Sequence, residues 1–230
     1  MHQPSRPSMV RSHRLVVALA ALTSLVGQAA SATTLVNGSL ESPSASFIQT
    51  VAAGQSANGW SVIGANIEFV RAGYSNGADT VAPAADGDWF VDLNGTQGPG
   101  RIAQTFDTVA GQWYRIDFAM SGNAGPGGAT SADGSKSLNV LWNGGTAASA
   151  TYLHQPGDRW DNLRWEWHDV LVQATGSSST LTFQSASSFY SAAGALVDAI
   201  QVTAVPEPGT AAMLLAGLAM GTVLRRRQPR

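Results

Sequence analysis

Tyr114-Arg115-Ile116-Asp117-Phe118-Ala119-Met120 sets Tyr114, Ile116, Phe118 and Met120 on one side of the chain and Arg115 and Asp117 on the other. Strict alternation of this kind is the pattern of a strand buried on one face only. Similar segments flank it. Ile102-Ala103-Gln104-Thr105-Phe106 lies before it, and Leu138-Asn139-Val140-Leu141-Trp142 follows, ending at the turn Asn143-Gly144-Gly145. Thr180-Leu181-Thr182-Phe183-Gln184 comes after Thr175-Gly176-Ser177-Ser178, and Ile200 and Val202 close the set. Residues 61–70, 89–93 and 163–174 read as further strands. No segment outside the two chain ends has the periodicity of an amphipathic helix. Eight or more short strands with turns between them predict an all-β, antiparallel sandwich of jelly-roll type.

The chain ends differ from this middle. Residues 1–14 carry Arg6, Arg11 and Arg14, residues 15–26 are apolar, and Ala30-Ser31-Ala32 offers a small-residue cleavage site. Residues 1–32 therefore read as a secretory signal peptide, with translation starting at Met1 or Met9. At the other end, Val205-Pro206-Glu207-Pro208 leads into an uncharged apolar stretch over 209–224 and then Arg225-Arg226-Arg227. The arginines keep that end cytoplasmic, and the stretch falls short of the roughly 20 residues that span a bilayer comfortably. Pro206, Glu207 and Pro208, the apolar run and the terminal arginines resemble the PEP-CTERM sorting signal of Gram-negative bacteria. The resemblance implies export through the inner membrane, transient anchoring by a transmembrane sorting helix, recognition by an exosortase, and a final place at the cell surface or in an extracellular matrix. An ordinary C-terminal membrane tail is the plainer alternative.

Three units follow: signal peptide 1–32, ectodomain 33–204 and sorting signal 205–230. Seven of the thirteen basic residues lie in the two terminal segments, so 33–205 holds six basic residues against fourteen acidic ones, a net charge of −8. Such a surface disfavours nucleic acid as a partner. Cysteine is absent, which excludes disulfides and thiolate metal sites.

Leu35-Val36-Asn37-Gly38-Ser39-Leu40-Glu41, Gly59-Trp60, Ala85-Asp86-Gly87, Val91-Asp92-Leu93-Asn94-Gly95, Ile102-Ala103-Gln104-Thr105-Phe106, Gly111-Gln112-Trp113-Tyr114, Ser121-Gly122-Asn123 and Gly194-Ala195-Leu196-Val197-Asp198-Ala199-Ile200-Gln201-Val202 resemble the bacterial choice-of-anchor C family. That family is similar to the plant cell-wall proteins of domain of unknown function 642. The resemblance implies a galactose-binding-domain-like β-sandwich, a secreted role at the envelope or matrix, and no enzymatic activity. Where the family commonly closes on an Asp-Asn pair, this chain has Asp198-Ala199.

Two kinds of site are candidates. Glu41 opens the domain and Asp198 opens its last strand, and neighbouring first and last strands would bring the two carboxylates together around one structural calcium ion. Asp198 has the parity of Ile200 and Val202, which points it inward. The other reading of the same pair is that both carboxylates accept backbone N–H bonds and pin the chain ends. For carbohydrate, the candidates are aromatic rings able to stack on a sugar face. Trp60, Trp89 and Trp142 read as core. Trp113 has the parity opposite to Tyr114 and reads as exposed. Trp160, Trp165 and Trp167 with Arg159 and Asp161 form the densest aromatic and polar cluster, although Trp165 and Trp167 share the parity of Leu163 and Leu171 and equally fit a core. Catalysis has little to work with: two histidines, His154 and His168, outside the signal peptide, no Gly-x-Ser-x-Gly elbow and no His-Glu-x-x-His motif. The acidic pairs Asp86/Asp88 and Asp158/Asp161 read as solvated loop residues. The function that follows is noncatalytic binding to polysaccharide of the matrix or cell wall. Its alternative is a structural matrix protein acting through protein contacts.

Overall fold

In the computed structural model, residues 35–75, 77, 79–124, 134–186 and 192–206 are described, and every regular element among them is a strand. There are thirteen: β1 Ile48–Val51, β2 Ser56–Ala57, β3 Trp60–Gly64, β4 Ile67–Arg71, β5 Trp89–Asp92, β6 Asn94–Gly95, β7 Gly98–Asp107, β8 Trp113–Gly122, β9 Ser135–Trp142, β10 Gly145–Leu153, β11 Glu166–Gln173, β12 Ser178–Ser185 and β13 Ala195–Val205. Six form one sheet in the order β1-β4-β5-β13-β8-β11, which we call sheet I. The second, sheet II, runs β10-β9-β12-β7-β3-β2, with β6 paired to β7. Every strand pairing is antiparallel. The expected all-β sandwich is the fold.

The alternation of β8 decides which way sheet I faces. Tyr114, Ile116, Phe118 and Met120 are buried and join Ile102, Phe106, Leu138, Val140, Leu181 and Phe183 of the opposite sheet in one core. Phe183 sits edge-on to both Phe118 and Trp60, with ring centroids at 5.1 and 6.5 Å, so aromatic contacts bridge the two layers. Trp60 and Trp89 are core as expected, and Trp142 is half-buried against Phe106 and Tyr114.

Residues 61–70 do not make one strand. They make two, β3 in sheet II and β4 in sheet I, because Gly64 with φ 87° and the following Ala65-Asn66 carry the chain across from one layer to the other. The strand expected over 163–174 begins at Glu166. Leu163 and Trp165 instead belong to a second, smaller core on the outer side of sheet I, packed on Val70, Val81, Phe90, Trp160 and Leu196. The segment before β5 and the one before β11 lie over that face, with Ala82 N donating to Trp160 O at 2.7 Å.

The last strand passes the expected domain boundary by one residue, since β13 includes Val205. Pro206 follows it, exposed. The signal peptide expected over 1–32, Glu207, Pro208, the apolar run and Arg225, Arg226 and Arg227 lie outside the described residues. No helix among the described residues is long and apolar enough to cross a membrane.

Candidate functional site

The motif at the start of the ectodomain is a clasp. Asn37 Nδ2 donates to Glu41 O at 2.9 Å and Asn58 O at 2.8 Å, while its Oδ1 accepts Glu41 N at 2.9 Å. Trp60 Nε1 donates to Asn37 O at 3.0 Å. Gln104 Nε2 donates to Val36 O and Gly59 O, and Val36 N returns a bond to Gln104 Oε1. Gly38 O accepts Ile200 N at 2.8 Å, which ties this segment to β13.

Glu41 and Asp198 complete the clasp on one loop. Glu41 Oε1 accepts Asp88 N at 2.8 Å and Trp89 N at 3.0 Å. Asp198 Oδ2 accepts Ala85 N and Asp86 N at 2.8 and 2.9 Å, and its Oδ1 accepts Ala199 N. Asp198 does not point into the sandwich core. The register shifts between Asp198, opposite Ala119, and Gln201, opposite Asp117, and Ala199 there has φ 51°. This β-bulge breaks the two-residue period, so Asp198 faces outward with Leu196, under the loop before β5. Burial pushes its carboxyl up to about 7, with the three N–H donors pulling the other way. Among the described residues no three His, Asp or Glu side chains converge as a metal-binding group.

The Trp160 cluster is largely a support for the second core. Trp160 is 7% exposed and packs on Phe90 with centroids 6.2 Å apart. Arg159 is ion-paired to buried Asp79 and to Asp161, so the polar neighbours that marked a surface in the sequence fasten a loop. Trp165 is half-buried, edge-on to Phe90 at 5.6 Å, and its Nε1 donates to Pro83 O at 3.2 Å. Asp158, expected in solvent, is buried: its Oδ2 accepts the Tyr152 hydroxyl and Gln155 N, each at 2.8 Å. Burial raises its pKa, but those two bonds and Arg164 outweigh it and hold the carboxyl below its usual range.

Two of the expected aromatics remain in solvent, and they share a face. Trp167 is 63% exposed, Trp113 44% and Leu171 between them 56%. In the β8–β11 ladder Trp167 stands opposite Ala119, Asp169 opposite Asp117, Leu171 opposite Arg115 and Gln173 opposite Trp113. The two indoles are thus six ladder positions apart, about 20 Å at the rise of an antiparallel strand. Trp167 belongs to this outer face with Leu171, and not to the core. Like charges facing across a ladder are destabilising, and Asp117 and Asp169 do face each other. Arg115 is bonded to both, at 2.7 Å to Asp117 and 3.7 Å to Asp169. The sequence reading missed Arg115, Asp117, Asp169, Leu171 and Gln173 as companions of the tryptophans. Alternation over residues 166–173 was the signal that could have joined them.

The family described as Protein of unknown function (DUF642) matches residues 33–203. The chain belongs to that family. In this DUF642 protein the clasp residues Asn37, Gly38, Glu41, Trp60, Gln104 and Asp198 all lie in stretches that carried the family resemblance, which makes those motifs architectural. The PEP-CTERM protein-sorting motif matches residues 204–228, directly after the DUF642 domain. That motif marks the chain for export and transient membrane anchoring. No curated protein matches the sequence. Among solved structures, the Stig cyclase Fisc from Fischerella sp. TAU is similar to the DUF642 domain at 15% identity. The alignment covers 77% of this chain and 98% of the cyclase, with a TM-score of 0.51. An apo cyclase from Fischerella sp. is similar at 16% identity over 77% of this chain and 97% of its own, with the same TM-score. A family 35 carbohydrate binding module from Clostridium thermocellum aligns at 13% identity over 68% of this chain and 99% of the module, with a TM-score of 0.43. At these identities the likeness to the two cyclases is one of fold alone.

Proposed function

We propose that this DUF642 protein is a noncatalytic carbohydrate-binding protein, exported and released by an exosortase to the cell surface or an exopolysaccharide matrix, and that its binding face is the β8–β11 strip. The observation that carries the reading is Trp167 and Trp113 standing exposed at the two ends of a row whose middle is Asp117, Asp169, Arg115 and the exposed Leu171, with Gln173 beside Trp113. Indole faces accept the C–H side of a pyranose, and the carboxylates and guanidinium between them, with the amide at the Trp113 end, match its hydroxyls. A pair of facing carboxylates on an open strand is a local cost of the kind that functional sites retain. The strip has the length of a short oligosaccharide. It lies on the outer face of the sheet beside edge strand β11, open to solvent among the described residues, which favours binding over hydrolysis.

Trp167→Ala is expected to weaken retention on the host's exopolysaccharide by roughly tenfold, equivalent to about 1.4 kcal/mol, with the melting temperature unchanged because the ring is mostly in solvent. Affinity electrophoresis of wild type and variant measures it. Equal retention of the two proteins would remove the strip as the site. Concentration-dependent self-assembly with no sugar dependence would instead favour the matrix-building alternative.

Calcium has no part in this reading. Glu41 Oε1 and both oxygens of Asp198 accept backbone N–H donors, which supports the reading in which this pair pins the chain ends. Chelated protein is expected to melt at the same temperature with and without added calcium. A rise on calcium addition would give the two carboxylates back their role as ligands.

A further inference from the structure

The last strand ends where the sorting motif begins. Val205 is still in the ladder, opposite Trp113, and Gln112 Nε2 donates to Val205 O at 2.5 Å and to Trp113 O at 2.9 Å. Only Pro206, Glu207, Pro208 and Gly209 separate Val205 from Thr210, the start of the apolar run. Fully extended, that link reaches at most roughly 17 Å. A bilayer's headgroup layer occupies about 5–7 Å on each side of the hydrocarbon. While the tail is in the membrane, the Val205 end of the sandwich is therefore tethered within about 10–12 Å of the headgroup surface.

That end differs from the rest of the molecule. Three turns form it: residues 108–112, 143–144 and 174–177. They are knit together by Thr108 N to Ser177 O, Gly111 N to Ala174 O and Asn143 N to Thr180 O. None of the three contains a charged residue, in an ectodomain with a net charge of −8. Asp107, at the end of β7, borders them. Val109 is 41% exposed and Trp113 44%, and Val109 N donates to the Tyr114 hydroxyl at 2.9 Å, which fixes the turn that displays both. Tryptophan is the side chain enriched at membrane interfaces, and an end without carboxylates in its turns avoids repulsion from anionic headgroups.

We propose that before sorting this end rests on the lipid surface that holds the tail, with Trp113 and Val109 among the headgroups. The Trp113 half of the aromatic strip is then covered until the tail is removed. This second clause rests on the carbohydrate reading, whereas the lipid contact does not.

All seven tryptophans lie between residues 60 and 167, so their fluorescence reports the sandwich and not the tail. The test reconstitutes the full chain into vesicles of phosphatidylethanolamine and phosphatidylglycerol carrying a headgroup nitroxide quencher. Wild type is expected to be quenched relative to unlabelled vesicles. Trp113→Phe is expected to remove most of that quenching and Trp167→Phe, about 20 Å up the strip, to leave it. Val109→Asp, which puts an acid on the neutral end without touching a tryptophan, is expected to reduce it as well. An unquenched wild type overturns the proposal, as does quenching that survives both Trp113→Phe and Val109→Asp. Quenching that disappears with Trp167→Phe instead also overturns it. Polysaccharide retention unchanged in Trp167→Ala while quenching still depends on Trp113 removes the carbohydrate reading and leaves the lipid contact standing.

Discussion

Gly38→Ala is expected to destabilise the sandwich by about 3 kcal/mol, toward the upper end of what overpacking costs. A methyl group at Gly38 would collide with the carbonyl oxygen of Ile200 and approach Leu35 Cδ2 to 3.1 Å. The first obstacle is backbone, so no rotamer change relieves it. Neither partner has room to retreat: Asn37 is bonded on both sides, to Glu41 and Asn58, and Ile200 N is committed to Gly38 O. For a domain of this size each kcal/mol is worth about 2–4 °C, so the melting temperature should fall by roughly 6–12 °C. Thermal unfolding followed by circular dichroism reads this directly. An unchanged midpoint would mean the clasp does not contribute to the stability of the fold.

Stability is also expected to fall as pH rises from 5 to 8, the reverse of the usual behaviour of paired carboxylates. Burial pushes Asp92 up to about 7 against the bonds from Asn123 and Asn94, and Asp198 likewise to about 7. In the unfolded chain both return to the ordinary aspartate range. A group whose folded pKa is raised binds more protons folded than unfolded over the interval between the two values. Its contribution is complete below about pH 4, in the unfolded range, and is lost as pH rises through about 7. For each residue the difference between pH 5 and pH 8 is on the order of 2–3 kcal/mol, taking about 1.4 kcal/mol per pKa unit. Half-buried Glu68 is raised by burial too and adds in the same direction. Asp158 is lowered, so its contribution is lost only as pH falls through its folded value, below this window. Urea titrations at the two pH values measure the difference, and Asp92→Asn should remove roughly half of it, leaving the part due to Asp198 and Glu68. Equal stability at pH 5 and pH 8 would show that the N–H donors around these carboxylates outweigh burial.

Much of the fold was legible because burial on one face leaves a period-two record. The β8 segment shows it plainly, and β7, β9 and β12 repeat it. What the record lacked was strands without bulk: Gly145–Leu153 is rich in alanine, serine and threonine, and β10 went unread. Periodicity also breaks where the backbone does. Gly64 turned one expected strand into two in different sheets, and the bulge at Ala199 reversed the side on which Asp198 lies. The aromatic cluster around Trp160 misled for a different reason. Arg159 and Asp161 look like surface residues in a sequence, and only the folded chain shows that Arg159 reaches Asp79, eighty positions away. Trp113 was placed correctly in solvent by its parity. Its partnership with Trp167 depends on a β8–β11 pairing that no local pattern encodes.

The position of β13 carries a consequence for the order of events during export. It is the last strand of the domain, yet it lies in the interior of its sheet, between β5 and β8, and its bulge receives the first segment of the ectodomain. Strands β1, β4 and β5 have no connection to β8 and β11 within that sheet until it arrives. Residues 195–205 are synthesised after every other strand of the domain, directly ahead of the sorting motif. Sheet I can close only once residues 195–205 are in place, so its two halves stay unjoined until the strand beside the sorting motif is available.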